Sequence, residues 1–291
     1  MKQCPLCHAE AKRRYGLGHT VVWGCGARVC GLCFADPQLD DKSLADAYTS
    51  HYYPSNGNVN AAVYESTPEA ILRQTFSRAE AALGSLAGKS LLDFGCGVGG
   101  LCRVAGEYGI HAMGIEPDAS AREKSCKSGS LRAYASLGSL RQAQPEAKFD
   151  IITMWDVIEH LREPWKDLTD LSDLLQPDGW LLLSTPNAAC LKARFDRERW
   201  ENIVNPTHFY YFTRKSLEAV LSRAGFFQMG ELRFPIRYPR HTIVRRIVNR
   251  ALVTCRLQGQ LVFVVHPRRP RTAGSLRGFE ETRELGAHAA D

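Results

Sequence analysis

The run Leu91-Leu92-Asp93-Phe94-Gly95-Cys96-Gly97-Val98-Gly99-Gly100 places an apolar strand, an acidic side chain and a glycine-rich turn in succession, with a helix predicted from Leu101. Glycines let backbone N–H groups come close to a ligand, and the N-terminus of the following helix favours an anionic group there. Spacing alone leaves the ligand open, because Gly95, Gly97 and Gly100 also satisfy the dinucleotide pattern G-x-G-x-x-G. Asp93 argues against a dinucleotide. Strands of that type end in an apolar residue at this point, whereas a carboxylate suits a ligand carrying a cationic amino group. Glu116 closes the next apolar segment, His111-Ala112-Met113-Gly114-Ile115. A carboxylate there can accept hydrogen bonds from both ribose hydroxyls of an adenosine, so it supports a nucleoside without choosing one. The competing reading is a solvated Glu before Pro117 at a turn.

Further along, Phe149-Asp150-Ile151-Ile152-Thr153-Met154-Trp155-Asp156-Val157-Ile158-Glu159-His160-Leu161 reads as a strand continued by "D-x-x-E-H". Leu174-Leu175-Gln176-Pro177-Asp178-Gly179-Trp180-Leu181-Leu182-Leu183-Ser184-Thr185-Pro186-Asn187 reads as an "L-L-x-P-x-G" turn into another strand. His208-Phe209-Tyr210-Tyr211-Phe212-Thr213 then precedes a helix ending at Ala224-Gly225-Phe226. With these motifs in this order, from about Leu91 to Phe234, the chain resembles a class I S-adenosylmethionine-dependent methyltransferase, in particular the small-molecule or sugar O-methyltransferase-like group with an N-terminal zinc ribbon. S-adenosylmethionine supplies the amino group for Asp93 and a carboxylate for the loop amides.

The resemblance implies an α/β fold: a doubly wound, mostly parallel, seven-stranded Rossmann-like sheet with a small N-terminal zinc ribbon. It implies a cofactor site made of Asp93, Gly95, Cys96, Gly97, Gly99, Glu116, Pro117, Trp155 and Asp156. Strands are predicted at Leu91 to Phe94, Ala112 to Glu116, Leu131 to Tyr134, Ile151 to Met154 and Trp180 to Ser184. Phe226 to Phe234 and Leu261 to Val265 are expected to pair antiparallel at the sheet edge. After the third strand, Ala135 to Ser139 offers only hydroxyls, backbone and apolar surface, so adenine recognition is expected to rest on main-chain groups.

Composition agrees with such a core. At 291 residues, with 44% hydrophobic and 23% charged residues, the chain can bury a large α/β core plus a small accessory unit. No apolar run reaches bilayer length, and no basic start, apolar stretch and cleavage site opens the chain. The expected location is cytoplasmic. In such a compartment the ten cysteines point to metal binding or free thiols rather than disulfides.

Five of those cysteines cluster near the start: Cys4, Cys7, Cys25, Cys30 and Cys33. Two pairs separated by a β-prone segment read as a tetrahedral zinc ribbon, with four of the five as ligands. Spacing favours Cys30 and Cys33 as the second pair. The resemblance, through Cys30-Gly31-Leu32-Cys33-Phe34-Ala35-Asp36-Pro37, favours Cys25 and Cys30 instead. His8 is an outside candidate. The chain accordingly divides into a metal-binding unit (1–37), a linker and lid helix (38–88), a methyltransferase core (89–235), a basic amphipathic helix with the last strand (236–266) and a disordered tail (267–291). The lid helix is predicted from Pro68 to Leu86, started by Thr67-Pro68-Glu69 and stopped by Gly88. Tyr48, Tyr52 and Tyr53, before it, are either packing residues or a substrate wall.

Methyl transfer needs the acceptor atom in line with the sulfonium methyl, and an oxygen acceptor gains from a base. His160 is the first candidate, with Glu159 to orient it or to bind the acceptor; both can equally order the turn around Leu161. His208 is the second candidate. From Pro239 to Arg256, apolar residues at helical spacing alternate with Arg240, Arg245, Arg246, Arg250 and Arg256. This is either a helix packed on the core or a contact (residues 240–256) with a membrane surface or an anionic substrate. A net charge of +6 is too modest to demand nucleic acid. Three functions stay open: methylation of a small-molecule hydroxyl on a sugar, nucleotide-sugar or natural-product intermediate; methylation of RNA or protein; and a non-catalytic scaffold.

Overall fold

A computed structural model of the protein describes residues 1–18, 20–47, 69–127, 131–232 and 243–267. Three short strands come first: β1 (Ala11–Gly16), β2 (Val21–Cys25) and β3 (Cys33–Asp36). They form an antiparallel meander whose register sets Trp23 opposite Arg13 on one side and Phe34 on the other. After α1 (Asp41–Ala47) and α2 (Glu69–Leu83), strands and helices alternate: β4 (Ser90–Phe94), α3 (Gly100–Glu107), β5 (His111–Ile115), α4 (Ala119–Lys127), β6 (Arg132–Tyr134), α5 (Leu137–Ala143), β7 (Phe149–Trp155), α6 (Pro164–Ser172) and β8 (Leu175–Pro186). The chain continues through α7 (Leu191–Asp196), α8 (Glu201–Val204), β9 (Tyr210–Tyr211), α9 (Arg214–Arg223), β10 (Gln228–Glu231), α10 (Ile243–Thr254) and β11 (Gln260–His266).

The main sheet has seven strands in the order β10-β11-β8-β7-β4-β5-β6. Strands β6, β5, β4, β7 and β8 are parallel to their neighbours, whereas β11 runs antiparallel to β8 and β10 antiparallel to β11. Apolar runs explain why the central strands sit in the middle. Leu91, Leu92, Ile151, Ile152 and Met154 are all buried, as expected for parallel strands covered on both faces. This is the doubly wound arrangement, whose ligand crevice lies beyond the carboxyl ends of β4 and β7.

Several elements differ in extent from the sequence expectation; β7, for example, runs over Phe149–Trp155 rather than from Ile151 to Met154. Helix α2 ends at Leu83 rather than Leu86, because Gly84 takes a left-handed φ of 84° and its N–H returns to the Glu80 carbonyl. Gly88 is instead bonded to the Gly109 carbonyl at the entry to β4. The expected helix start at Pro68 lies outside the described residues. Strand β8 begins at Leu175, because Leu175 already pairs with Phe149 before a register shift carries the exposed Gln176-Pro177-Asp178 outward. The edge strand β10 is shorter than predicted, and its pairing with β11 is antiparallel as expected. Tyr48, Tyr52, Tyr53, Arg240 and the tail from Arg268 lie outside the described residues, and on α10 Val248 is 48% exposed.

Strand β9 does not join the main sheet. It pairs antiparallel with β3, so the second sheet has the order β1-β2-β3-β9 and takes its last strand from the core. The cysteine-rich hairpin therefore shares a sheet with residues 210–211. Arg223 at the end of α9 reinforces the junction, donating to the Leu6 carbonyl at 2.8 Å and lying over the Trp165 ring. Arg162 ties the linker down through the Leu39 carbonyl and the Asp41 carboxylate, each at 2.7 Å. Helix α9, against which the hairpin packs, starts in a capping box in which Thr213 accepts from the Ser216 N–H and Ser216 from the Thr213 N–H. Thr213→Ala removes half of that box and is expected to cost about 0.5–2 kcal/mol. Chemical denaturation should show a lower midpoint at an unchanged slope.

Candidate active site

Residues 95–99 wrap around the carboxyl end of β4. Gly95 has a φ of 85°, and a Cβ there would lie 2.4 Å from a Val157 methyl. The loop is thus pressed against the segment that follows β7, and only glycine fits. Helix α3 starts behind it at Gly99, which has no side chain to cap the helix. Its first-turn N–H groups are available to an anionic group.

Two carboxylates lie beneath this loop. Asp93 is 2% exposed; it accepts from the Thr153 hydroxyl at 2.7 Å and from the Cys102 thiol at 3.7 Å. Burial raises its pKa to about 7, against the opposing effect of those two hydrogen bonds. Glu116 is also buried and accepts from the Gly97 and Asp118 N–H groups, each at 2.9 Å. Burial pushes it up as well. Glu116 therefore joins the tip of the glycine loop to the end of β5, while Pro117 beside it is exposed. Cys96 is buried under the loop and faces Gly114, where a Cβ would meet its sulfur at 2.4 Å.

Beyond β7 the polypeptide turns sharply. Asp156 has a φ of 54°, accepts from the Ser184 hydroxyl at 2.9 Å, and is closely bonded to the Gln260 amide. Trp155, half-buried, packs with residues on both sides of β7. A single 3-10 turn follows (Ile158–His160). It delivers Glu159, which is 1% exposed and accepts from the Thr185 hydroxyl at 3.0 Å, and His160, whose Nδ1 meets the Thr207 carbonyl at 3.0 Å. Burial, then the nearby Asp156, drives the Glu159 pKa far up. Burial holds His160 at about 4.

His208 arrives from the other side. Its Nδ1 meets the Asn202 carbonyl at 2.9 Å, and its ring stands edge-on to that of His160 with centroids 4.6 Å apart. Burial and the neighbouring His160 keep its pKa well below the usual value. The sequence candidates Glu159, His160 and His208 are thus one cluster. It lies beside the glycine loop, since Gly95 touches Val157 and β4 adjoins β7.

Four of the five N-terminal cysteines also converge. One sulfur each from Cys4, Cys7, Cys25 and Cys30 lies within 4.8 Å of the others, with Cys4–Cys30 at 3.7 Å and Cys7–Cys25 at 3.4 Å. A tetrahedral zinc site with Zn–S of about 2.3 Å has S–S edges of about 3.8 Å, so the dimensions fit. Cys33 is not in the group. It lies in β3 opposite Tyr211, whereas Cys25 is one of the four clustered sulfurs. His8 is not in it either.

Several residues that shape the site carried no sequence signal. Thr153 and Thr185 are strand residues whose hydroxyls turn onto Asp93 and Glu159, and Gln260 reaches Asp156 from a strand distant in sequence. A threonine in an otherwise apolar strand, as in Ile151-Ile152-Thr153-Met154, is the one hint available.

A sheet of this order, a glycine loop over buried carboxylates and a polar cluster on the same edge define an α/β enzyme of nucleoside-cofactor group transfer. A family model described as a methyltransferase domain matches residues 65–227, more than half of the chain. The chain belongs to that family: it is a class I S-adenosylmethionine-dependent methyltransferase. A curated relative, a ubiquinone biosynthesis O-methyltransferase of Rhodopseudomonas palustris (strain BisA53), is 28% identical over 168 residues, covering 52% of this chain and 66% of that one. A protein of the same name from Leptothrix cholodnii is 32% identical over 119 residues, covering 37% and 48%. The chain thus spans less than two thirds of the length of these relatives, 66% of one and 48% of the other. Among solved structures, the plantazolicin methyltransferase BamL superposes with a TM-score of 0.55 at 15% identity, covering 78% of this chain and 97% of its own. A methyltransferase of Thermotoga maritima gives 0.53 at 14% identity, with 77% and 100% covered. At these identities the likeness is one of fold.

A carboxyl group with a pKa of about 7 is ionised above that pH and protonated below it, and only the ionised form attracts an ammonium group. Calorimetry is expected to show S-adenosylmethionine affinity falling as the pH is lowered from 8 to 6. Asp93→Asn should weaken binding about tenfold or more at pH 8 and flatten the profile, since a charged hydrogen-bonding partner contributes about 1.5–3 kcal/mol. A profile identical in both proteins would remove Asp93 from cofactor binding.

Proposed function

We propose that this methyltransferase acts on the hydroxyl of a small molecule. The observation that carries the reading is the lining of the acceptor side. His160 and His208 each give their Nδ1 to a backbone carbonyl, and for the neutral ring of His208 this makes Nε2 the hydrogen-bond acceptor. Glu159 adds a buried carboxyl oxygen, Oε1, with no hydrogen-bond partner among the described residues. Such a wall, with an imidazole that accepts and a carboxyl group that burial keeps protonated, suits a hydroxyl, and the curated relatives bear the name of O-methyltransferases. A sugar, nucleotide-sugar or natural-product intermediate is the acceptor class that this reading favours. The cofactor site comprises Gly95, Cys96, Gly97 and Gly99 at the loop, Asp93 and Glu116 beneath it, and Pro117, Trp155 and Asp156 at the strand ends.

In this reading the chain works mainly by positioning. Glu116 and the loop amides hold the cofactor, and the buried edge excludes water from the sulfonium. His160, neutral at physiological pH, accepts the hydrogen bond of the acceptor hydroxyl. Its low basicity makes it a better orienting group than a base, because a base works best with a pKa near the operating pH. Label from methyl-labelled cofactor is expected in the small-molecule fraction of an extract rather than in protein or RNA. His160→Ala should lower kcat/KM by about tenfold to a hundredfold with cofactor affinity unchanged. Label recovered only in macromolecules would refute the reading.

Cys4, Cys7, Cys25 and Cys30 are proposed to hold one structural zinc ion, which would staple a hairpin too short to fold on its own core. Because that hairpin shares a sheet with β9, the metal supports the acceptor wall indirectly. Cys7→Ser is expected to lose the zinc and to raise the acceptor KM, whereas Cys33→Ser keeps it. Elemental analysis showing equal zinc in both variants would defeat the assignment.

A further inference from the structure

Helix α10 (Ile243–Thr254) takes no part in the site. By helical spacing, Ile243, Val244, Ile247, Val248, Ala251 and Leu252 fall on one side of it, and Arg245, Arg246 and Arg250 occupy the remainder of the circumference. A helix packed on the core buries the middle of its apolar side. Here Val248 is 48% exposed and Ala251 is exposed as well, while Leu252 and Val253 are half-buried rather than buried. Arg250 and Arg256 are exposed too, and neither has an ion-pair partner among the described residues.

The distribution of charge along the chain is an independent observation. Between Glu231 and Glu280 the sequence holds eleven arginines and no lysine, aspartate or glutamate. Of the chain's 37 basic and 31 acidic residues, that leaves 26 against 31 elsewhere, so the rest of the chain is net negative. A single strongly basic stretch on an otherwise acidic chain suits a polyanionic partner. Glu231, at the start of the stretch, does not offset it, because Arg214 pairs with it at 3.3 Å and the Gln258 amide donates to it at 2.9 Å. Exposed apolar groups continue beside the helix. The Leu191 N–H donates to the Leu257 carbonyl just past α10, and on α7 Leu191 and Phe195 are both exposed, Phe195 by 77%. A nucleic acid would engage the arginines and leave these apolar groups in water. A second copy of the chain would set one basic helix against another. A bilayer with anionic headgroups accommodates both the charge and the apolar side.

We propose that the face formed by α10 and the neighbouring Leu191 and Phe195 docks on the surface of an anionic lipid bilayer. The helix has 12 residues, and no described helix is long and apolar enough to cross a membrane, so α10 lies in the interface rather than spanning it. Its apolar side enters the boundary between headgroups and acyl chains. The arginines meet lipid phosphates, with their aliphatic stems lying along the apolar surface. The strand after α10 starts at Gln260, opposite Pro186 at the carboxyl end of β8, and Gln260 is bonded to Asp156. The docking face thus adjoins the ligand edge of the main sheet.

The test sediments the full-length protein with vesicles of phosphatidylcholine alone or of phosphatidylcholine mixed with phosphatidylglycerol. Binding is expected on the mixed vesicles, weaker on phosphatidylcholine, and falling as sodium chloride is raised. Arg250→Gln combined with Arg256→Gln should weaken it by about tenfold or more, since each arginine at such a surface contributes about fivefold. Val248→Asn leaves the charge unchanged and should weaken it by about threefold to tenfold, whereas Val248→Trp should tighten it. Thermal unfolding and S-adenosylmethionine affinity at wild-type values in these variants separate a lost surface from a lost fold. The proposal is overturned if the mixed vesicles leave the protein in solution, or if the arginine and Val248 variants all bind as the wild type does. It is overturned equally if a single-stranded RNA binds more tightly than the vesicles and without regard to Val248, or if the protein is a dimer that Val248→Asn separates. The outcome does not depend on the identity of the methyl acceptor.

Discussion

Phe209 clasps the molecule together with its backbone. Its carbonyl accepts from the Ala35 N–H at 2.9 Å, beside the β3–β9 pairing, and its own N–H donates to the Glu159 carbonyl at 2.8 Å. One residue thus links the cysteine-rich hairpin to the turn that carries Glu159 and His160. His208, immediately before it, is placed by the same two bonds. The Phe209 side chain is fully buried and Arg162 lies over its ring at 5.2 Å, so the clasp is sealed from water on both counts. A buried backbone bond contributes little net stability when made but costs much when left unmade. The hairpin is therefore difficult to loosen without disturbing the turn that carries Glu159 and His160.

Most of the main sheet was legible in the sequence, because parallel strands buried on both faces are short apolar runs bounded by glycine or acidic residues. Leu91 to Phe94 and Ile151 to Met154 show this most clearly. Limits that depend on long-range pairing were not legible. The early start of β8 follows from Leu175 meeting Phe149, and nothing local announces it. Strand β9 is harder still: Tyr210-Tyr211 looks like part of an aromatic stretch, and its partner lies far back in the chain at Cys33-Phe34. Spacing alone misleads over Cys25 and Cys33 for the same reason, whereas the family resemblance pointed to Cys25. Spacing treats Cys30-Gly31-Leu32-Cys33 as a pair, but the β3 register turns Cys33 toward Tyr211 and away from the other sulfurs.

The site was legible residue by residue and not as a geometry. Glycines and acidic residues at strand ends can be recognised from spacing. That Glu159, His160 and His208 form one cluster could not be, since the residues between them pass through helix α6, the whole of β8 and the short helices α7 and α8. Nor could the state of each group be read. Asp93 is a plain carboxylate on paper, but burial between β4 and β7 places its titration near neutrality.

Strands β4 and β7 share a further feature at their carboxyl ends. Polar side chains there are paired across the sheet rather than along a strand: Asp93 with Thr153, Asp156 with Ser184, Glu159 with Thr185. In each pair a hydroxyl from the next strand satisfies part of the carboxyl group, with Cys102 adding to Asp93 and Gln260 to Asp156. Fully satisfied carboxylates would be inert, and unpartnered ones would be too costly to bury. The hydroxyl partners hold these groups between the two limits. The same sheet edge can therefore be largely buried and still keep polar atoms open to a charged cofactor.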